Sequence, residues 1–261
     1  MFKILFVQLF LTMFLFSNST VVKVSSKALN ALIKNKSSVA NEDIIKLSNM
    51  SDEINGTKEV NKYIGTLNLP QEVREDIYLR IAIYQNKISR EESELMMQNL
   101  KGVEGFSSTL SKVIGNNPNG TIGHLNELRI ANNASQNGYE VMSIGKKFDD
   151  GIKQQLTDID ILLRKNGRDI LIEAKNYKST TKMDLIKFRA DLDTLNSYDT
   201  NISNKKSLKI FSFTEKPDDL GLLKQYQFWA KEKNVQLIFG TPEEQIEQIK
   251  ILEKIIWKNM W

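Results

Sequence analysis

The sequence predicts an α/β fold with an α-β-β-β-α-β core and a mixed sheet, preceded by a mostly helical N-terminal region. Three observations point there. Asn166-Gly167 separates two β-rich runs within TDIDILLRKNGRDILIEAKNY, the strongest short-range signal for a two-residue hairpin, because both central residues of a type I′ turn need positive φ. Helical periodicity on either side of that hairpin alternates with short apolar runs. A dense run of turn formers, Ile114-Gly-Asn-Asn-Pro-Asn-Gly120, divides this pattern from the polar, helical stretch before it.

The first residues, MFKILFVQLFLTMFLFSNST, carry one lysine, an apolar run from Ile4 to Phe16 and then small polar residues. This reads as a secretory signal over residues 1–19, with Ser17 and Ser19 in the small positions of a cleavage site, and as too short for a membrane span. An uncleaved anchor is the alternative. The expected destination is therefore outside the producing cell. Cysteine is absent, which excludes disulfides and thiolate metal sites.

Residues 20–113 read as a helical region. Its best segment starts at Pro70 and places Val73, Ile77, Ile81, Tyr84 and Ile88 on one stripe, and Ser89-Arg-Glu-Glu92 offers a cap for a further helix. No chemistry is visible in it. The second region, 114–261, should hold a helix from about Gly123 to Asn137-Gly138, a strand near 139–147 and the hairpin over 157–176. A helix near 182–196 follows, with Leu185, Phe188, Leu192 and Leu195 on one face. A strand near 207–214, a helix near 217–232 and a strand near 234–239 complete the alternation. Thr241-Pro-Glu-Glu244 opens a last helix with a capping box, striped by Ile246, Ile249, Leu252, Ile256 and Met260. Trp257 and Trp261 on it are candidates for an interface.

The hairpin turn fixes a register that pairs Lys165 with Arg168, Leu162 with Leu171, Ile161 with Ile172, Asp160 with Glu173 and Asp158 with Lys175. By alternation Ile159, Ile161, Leu163, Ile170, Ile172 and Ala174 form one apolar face, and the charges share the other, taken as the solvent side. Like charges opposite each other destabilise a strand pair. Asp160 against Glu173 thus calls for a shared proton or a cation. Hard carboxylate oxygens suit Mg²⁺ or Mn²⁺, with Lys175 on the same face to meet developing negative charge. Asp158 is the expected salt-bridge partner of Lys175.

An aspartate on the second strand and Glu-x-Lys on the third, behind a helix that carries a glutamate, resemble the PD-(D/E)XK nuclease superfamily over roughly residues 120–240. The stretch GHLNELRIANNASQNGYEV resembles the helix of resolvase-like members, in which a glutamate precedes a Gly-Tyr by about three turns; Glu127 takes that place. The proline that often precedes the aspartate is replaced by Ile159. The resemblance implies a restriction endonuclease-like core. Asp160, Glu173 and Glu127 would be metal ligands, assisted by the Ala174 carbonyl, and these three with Lys175 would be the catalytic residues of phosphodiester hydrolysis. His124, three residues before Glu127, would help to position phosphate or water, and Asn176 and Tyr177 lie where substrate would pass.

EAKNY, FSFTEKP, Trp229-Ala230 and Gly240-Thr241 further resemble nuclease toxin domains of contact-dependent growth inhibition systems. A secreted, Mg²⁺- or Mn²⁺-dependent endonuclease acting as a toxin is the reading these resemblances imply, with DNA preferred to RNA and a cognate immunity protein as a partner. Alternatives are a tRNA- or RNA-cleaving toxin of the same fold, a repair nuclease, and an inactive module that only binds nucleic acid or protein. Net charge is +4, from 36 Lys+Arg against 32 Asp+Glu, which permits a polyanionic partner without requiring one. Lys146, Lys147, Lys153, Lys178 and Lys182 are the expected phosphate contacts.

Overall fold

A computed structural model of the chain describes residue 64 and residues 70–258, apart from 116–117, 152–155 and 204–205. The signal-sequence reading of residues 1–19, Lys153, Met260, Trp261 and the side chains of Tyr84, Ile256 and Trp257 lie outside what is described. Among the described residues no helix is long and apolar enough to cross a membrane.

Five strands form one mixed sheet in the order β1 (Glu140–Phe148), β2 (Thr157–Lys165), β3 (Arg168–Lys175), β4 (Leu208–Phe213) and β5 (Gln236–Phe239). β1, β2 and β3 run antiparallel, whereas β3, β4 and β5 are parallel neighbours. The hairpin turn is as its residues demand: Asn166 and Gly167 both have positive φ, 52° and 73°, and the ladder pairs Lys165 with Arg168, Leu162 with Leu171 and Ile161 with Ile172.

One face of the sheet carries α1 (Gln71–Tyr84), α2 (Arg90–Leu100), α3 (Phe106–Gly115), α4 (Pro118–Gln136) and α7 (Pro242–Lys258). A single apolar cluster runs from Ile77, Ile81 and Ile88 through Leu128 and Ala131 to Ile161, Ile172, Ile246 and Ile249. The helices before the 114–120 turn run thus bury their stripes against those after it, each large aliphatic side chain contributing about 1.5–3 kcal/mol. Arg129 of α4 grips Glu92 of α2 at 2.6 Å. The start of α3 approaches β1 so closely that the Ile144 N–H donates to the Glu104 carbonyl at 2.8 Å. Gly105, at φ +85°, makes that approach possible, since a Cβ there would lie 1.7 Å from the Ile144 carbonyl oxygen.

The opposite face carries α5 (Leu185–Tyr198), which continues into a π-helical turn at Asp199–Ser203, and α6 (Leu220–Glu232). Phe188, Leu192 and Leu195 are fully buried there with Phe211 and Tyr226. The Tyr226 hydroxyl donates to the Met183 carbonyl and accepts from the Met183 N–H, which fixes the chain entering α5. Asp184 then caps the helix through the Ile186 and Lys187 N–H groups.

Helix caps explain the remaining boundaries. Thr241 and Glu244 form the reciprocal capping box at α7, and Ser89 accepts from the Glu92 N–H at α2. The fourth helix begins at Pro118, five residues before the expected Gly123, because proline is preorganised for a first helical turn. It ends at Gln136, and Gly138 follows at φ +77°.

Two expectations about the hairpin are corrected. The charged face is not a solvent side: α5 covers it, Leu162, Leu171 and Glu173 are buried, and helices lie on both faces as parallel pairing requires. Ile159 does not share the apolar face of Ile161 and Leu163; it packs in the α5-side cluster. The β2–β3 ladder stops at Ile161 and Ile172, so regular alternation ends one residue before Asp160.

Candidate active site

Where the ladder stops, the Asp160 carboxylate takes the place of a strand carbonyl, its Oδ2 accepting from the Ala174 N–H at 2.8 Å. β2 and β3 therefore separate around an acidic side chain, and Glu173 and Lys175 project from β3 beside it. The Lys175 ammonium contacts Glu173 Oε1 and lies 3.9 Å from Asp160 Oδ2. Asp160, Glu173 and Lys175, which the hairpin is expected to gather, lie within 3.9 Å of one another through the Lys175 ammonium.

The partner expected for Lys175 is corrected. Asp158 is exposed at the end of β2, opposite Lys147 of β1. Lys175 instead pairs with Glu173 and Asp160, and with Asp191 of α5 at 3.4 Å. Asp191 was missed. Lys187, one turn earlier on α5, contacts the same Asp191 Oδ2 at 3.0 Å. A signal was available: Asp191 lies three residues after Phe188 and four before Leu195, within the stripe that faces the sheet.

Glu127 approaches from α4, on the other side of the sheet. It is buried, and His124 Nδ1 lies 3.1 Å from its Oε1, the one-turn contact anticipated from their spacing. The charges of both Glu173 and Glu127 act on Asp160. Asn176 donates to the Ile122 carbonyl at 3.4 Å and accepts from the Thr214 hydroxyl at 2.8 Å. Tyr177 packs on Phe213. Both tie the rim of the site together.

The site is dense in carboxyl groups and only partly reached by solvent: the side chains of Asp160, Lys175 and Asp191 keep 17, 15 and 18% of their surface exposed. Burial, with the charges of Glu173 and Glu127, raises the Asp160 carboxyl well above its ordinary range. Burial also pushes Glu173 up to about 7, against the pull of Lys175 and with a further push from Asp191. For Lys175 burial acts downward, but Glu173, Asp160 and Asp191 outweigh it and hold the amine protonated.

Asp160 and Glu173 offer only oxygen donors, a donor set that would fit Mg²⁺ or Mn²⁺ once both carboxyls are deprotonated. Among the described residues no three His, Cys, Asp or Glu side chains converge to hold a metal as they stand. The Lys175 ammonium occupies Glu173, and a divalent cation would replace it there.

Of the lysines expected to meet phosphate, Lys146 is neutralised by Glu104 at 2.8 Å and Lys182 by Asp219 at 3.0 Å. Lys147 and Lys178 are exposed. No family model, curated protein or solved structure matches the chain.

Proposed function

We propose that the chain is a metal-dependent nuclease with a restriction endonuclease-like core, hydrolysing phosphodiester bonds in DNA. The observation that carries this reading is the break in the β2–β3 ladder, where Asp160 and Glu173 from adjacent strands are gathered around Lys175 at a solvent-reaching opening. Two strands do not bury opposed carboxylates for stability, because desolvation and mutual repulsion both cost free energy.

Asp160 and Glu173 are the residues that would hold Mg²⁺ or Mn²⁺, and such an ion supplies Lewis acidity toward a phosphate oxygen. Asp160 keeps its orientation through the Ala174 N–H. Lys175, protonated in the metal-free site, is placed to donate to the negative charge that develops on phosphorus-bound oxygen. Lys175 does not engage Glu127 among the described residues, and Glu127, with His124 beside it, takes the proton of the attacking water. The water oxygen bonds to phosphorus, the ester P–O bond breaks with its electron pair going to the leaving oxygen, which takes a proton from solvent, and no enzyme-bound covalent intermediate forms.

The biological setting we propose is a secreted toxin neutralised by an immunity protein in its producer. It rests on the signal-like residues 1–19 and on the likeness of EAKNY and FSFTEKP to toxin domains.

The closed contacts of Lys175 with Asp160, Glu173 and Asp191, and the absence of a preformed metal cage among the described residues, favour a second reading, an inert ion-pair network in a binding module. Incubating purified protein with supercoiled plasmid and with a transfer RNA pool, in Mg²⁺, in Mn²⁺ and in chelator, separates these readings. Plasmid nicking that stops in chelator supports the first. Cleavage of transfer RNA with closed plasmid moves the substrate to RNA, and no cleavage of either supports the inert network.

A further inference from the structure

Lys175 poses a problem for any cation that enters this site. Its ammonium sits on Glu173 Oε1 and within 3.9 Å of Asp160 Oδ2, and a divalent ion bound to those same oxygens would be repelled by it at close range. The amine must withdraw, yet a charged amine that is 15% exposed needs a new partner within reach.

We propose that Asp191 is that partner: a positioning residue whose carboxylate receives Lys175 when a divalent cation takes Glu173 and Asp160. The inference rests on the metal-dependent reading above. Asp191 Oδ2 already lies 3.4 Å from Lys175 Nζ, so the transfer needs a small side-chain rotation and no backbone movement. Of the three carboxylates paired with Lys175, Asp191 is the one that comes from a helix and not from the split strands. Its mounting is firm. Phe188 and Leu192 of the same helix are fully buried, Asp184 caps the helix start, and Lys187 at 3.0 Å sets the carboxylate's position. Lys187 is exposed, so it can turn to solvent as Lys175 arrives.

Mn²⁺ binding to the full-length protein, followed by the electron paramagnetic resonance of the free ion, tests this without any turnover. Asp191→Asn should weaken Mn²⁺ binding about tenfold, and Asp191→Glu should restore it to within about twofold. The decisive comparison uses Lys175→Met, in which no amine has to move. There Asp191→Asn should change the dissociation constant by less than about twofold. Equal weakening in both backgrounds would mean that Asp191 acts on the ion directly, by its field or as a ligand, and overturns the proposal while the metal-dependent reading stands. No Mn²⁺ binding by the unmodified protein at millimolar concentration overturns both. Circular dichroism of each variant keeps misfolding distinct from lost affinity.

Discussion

The Asp160 carboxylate and the Ala174 N–H are joined at 2.8 Å, a side chain standing where the strand ladder would place a carbonyl. This bond gives Asp160 a structural duty beside the chemical one proposed for it. Asp160→Asn keeps an acceptor oxygen and should fold with little change, whereas Asp160→Ala leaves the Ala174 donor without its partner and should cost roughly 1–3 kcal/mol. Urea unfolding of the two variants is the measurement. Equal stability would show that the bond carries nothing.

Stability of the metal-free protein should fall as pH rises from about 4.5 to about 7. The Glu173 carboxyl binds its proton more tightly when folded, moving from its ordinary value of 4.5 to about 7. Its contribution is therefore whole below pH 4.5 and is lost as pH climbs through 7, an effect on the order of 1–3 kcal/mol. Asp160, also raised, acts in the same direction. Calorimetric melting across this window should show the decline, a shallower one in Glu173→Gln, and a reversal when Mg²⁺ is added. A melting temperature that rises steadily over the same range contradicts the burial of these carboxyls.

Gly105→Ala should be far more damaging than Gly102→Ala. Both positions have positive φ, but an added Cβ meets nothing at Gly102 and strikes the Ile144 carbonyl at Gly105. The first change should cost about 1 kcal/mol and the second at least about 3 kcal/mol. The difference measures how firmly α1 to α3 are docked on β1, and similar losses would mean that the docking is loose.

Glu127→Gln should lower the cleavage rate at every Mg²⁺ concentration while leaving the melting temperature of the metal-free protein within a few degrees. Rates equal to those of the unmodified protein across a Mg²⁺ titration remove Glu127 from the site.

What could be read from the sequence was local. Asn166-Gly167 sets a hairpin register that needs no tertiary contact, and Thr241 with Glu244 closes a cap within one turn. The register brings Asp160, Glu173 and Lys175 to one end of the hairpin, but the ladder ends at Ile161 and Ile172, so the direct pairing of Asp160 with Glu173 that it implies is not formed. The placement of α5 does not follow from the register. Leu162 and Leu171 share the face of the charges, and they are the sign that a helix must cover it. Asp191 reaches Lys175 across sixteen residues and a loop whose course is set by Tyr226 and Met183. Ile159 changed faces because a side chain replaced a backbone group in the ladder, an event that alternation does not encode.

The most direct measurement is cleavage of plasmid DNA by the purified protein and by Asp160→Asn, Glu173→Gln and Lys175→Ala, each in Mg²⁺ and in chelator. The unmodified protein should cut only with the metal, and each variant should lose at least about a hundredfold in rate while still melting cooperatively, because on the proposed reading each removes a group that would bind the ion or meet the developing charge. Full activity in chelator, or in any two of the three variants, would contradict the assignment of this carboxylate and lysine cluster as a metal-dependent nuclease site.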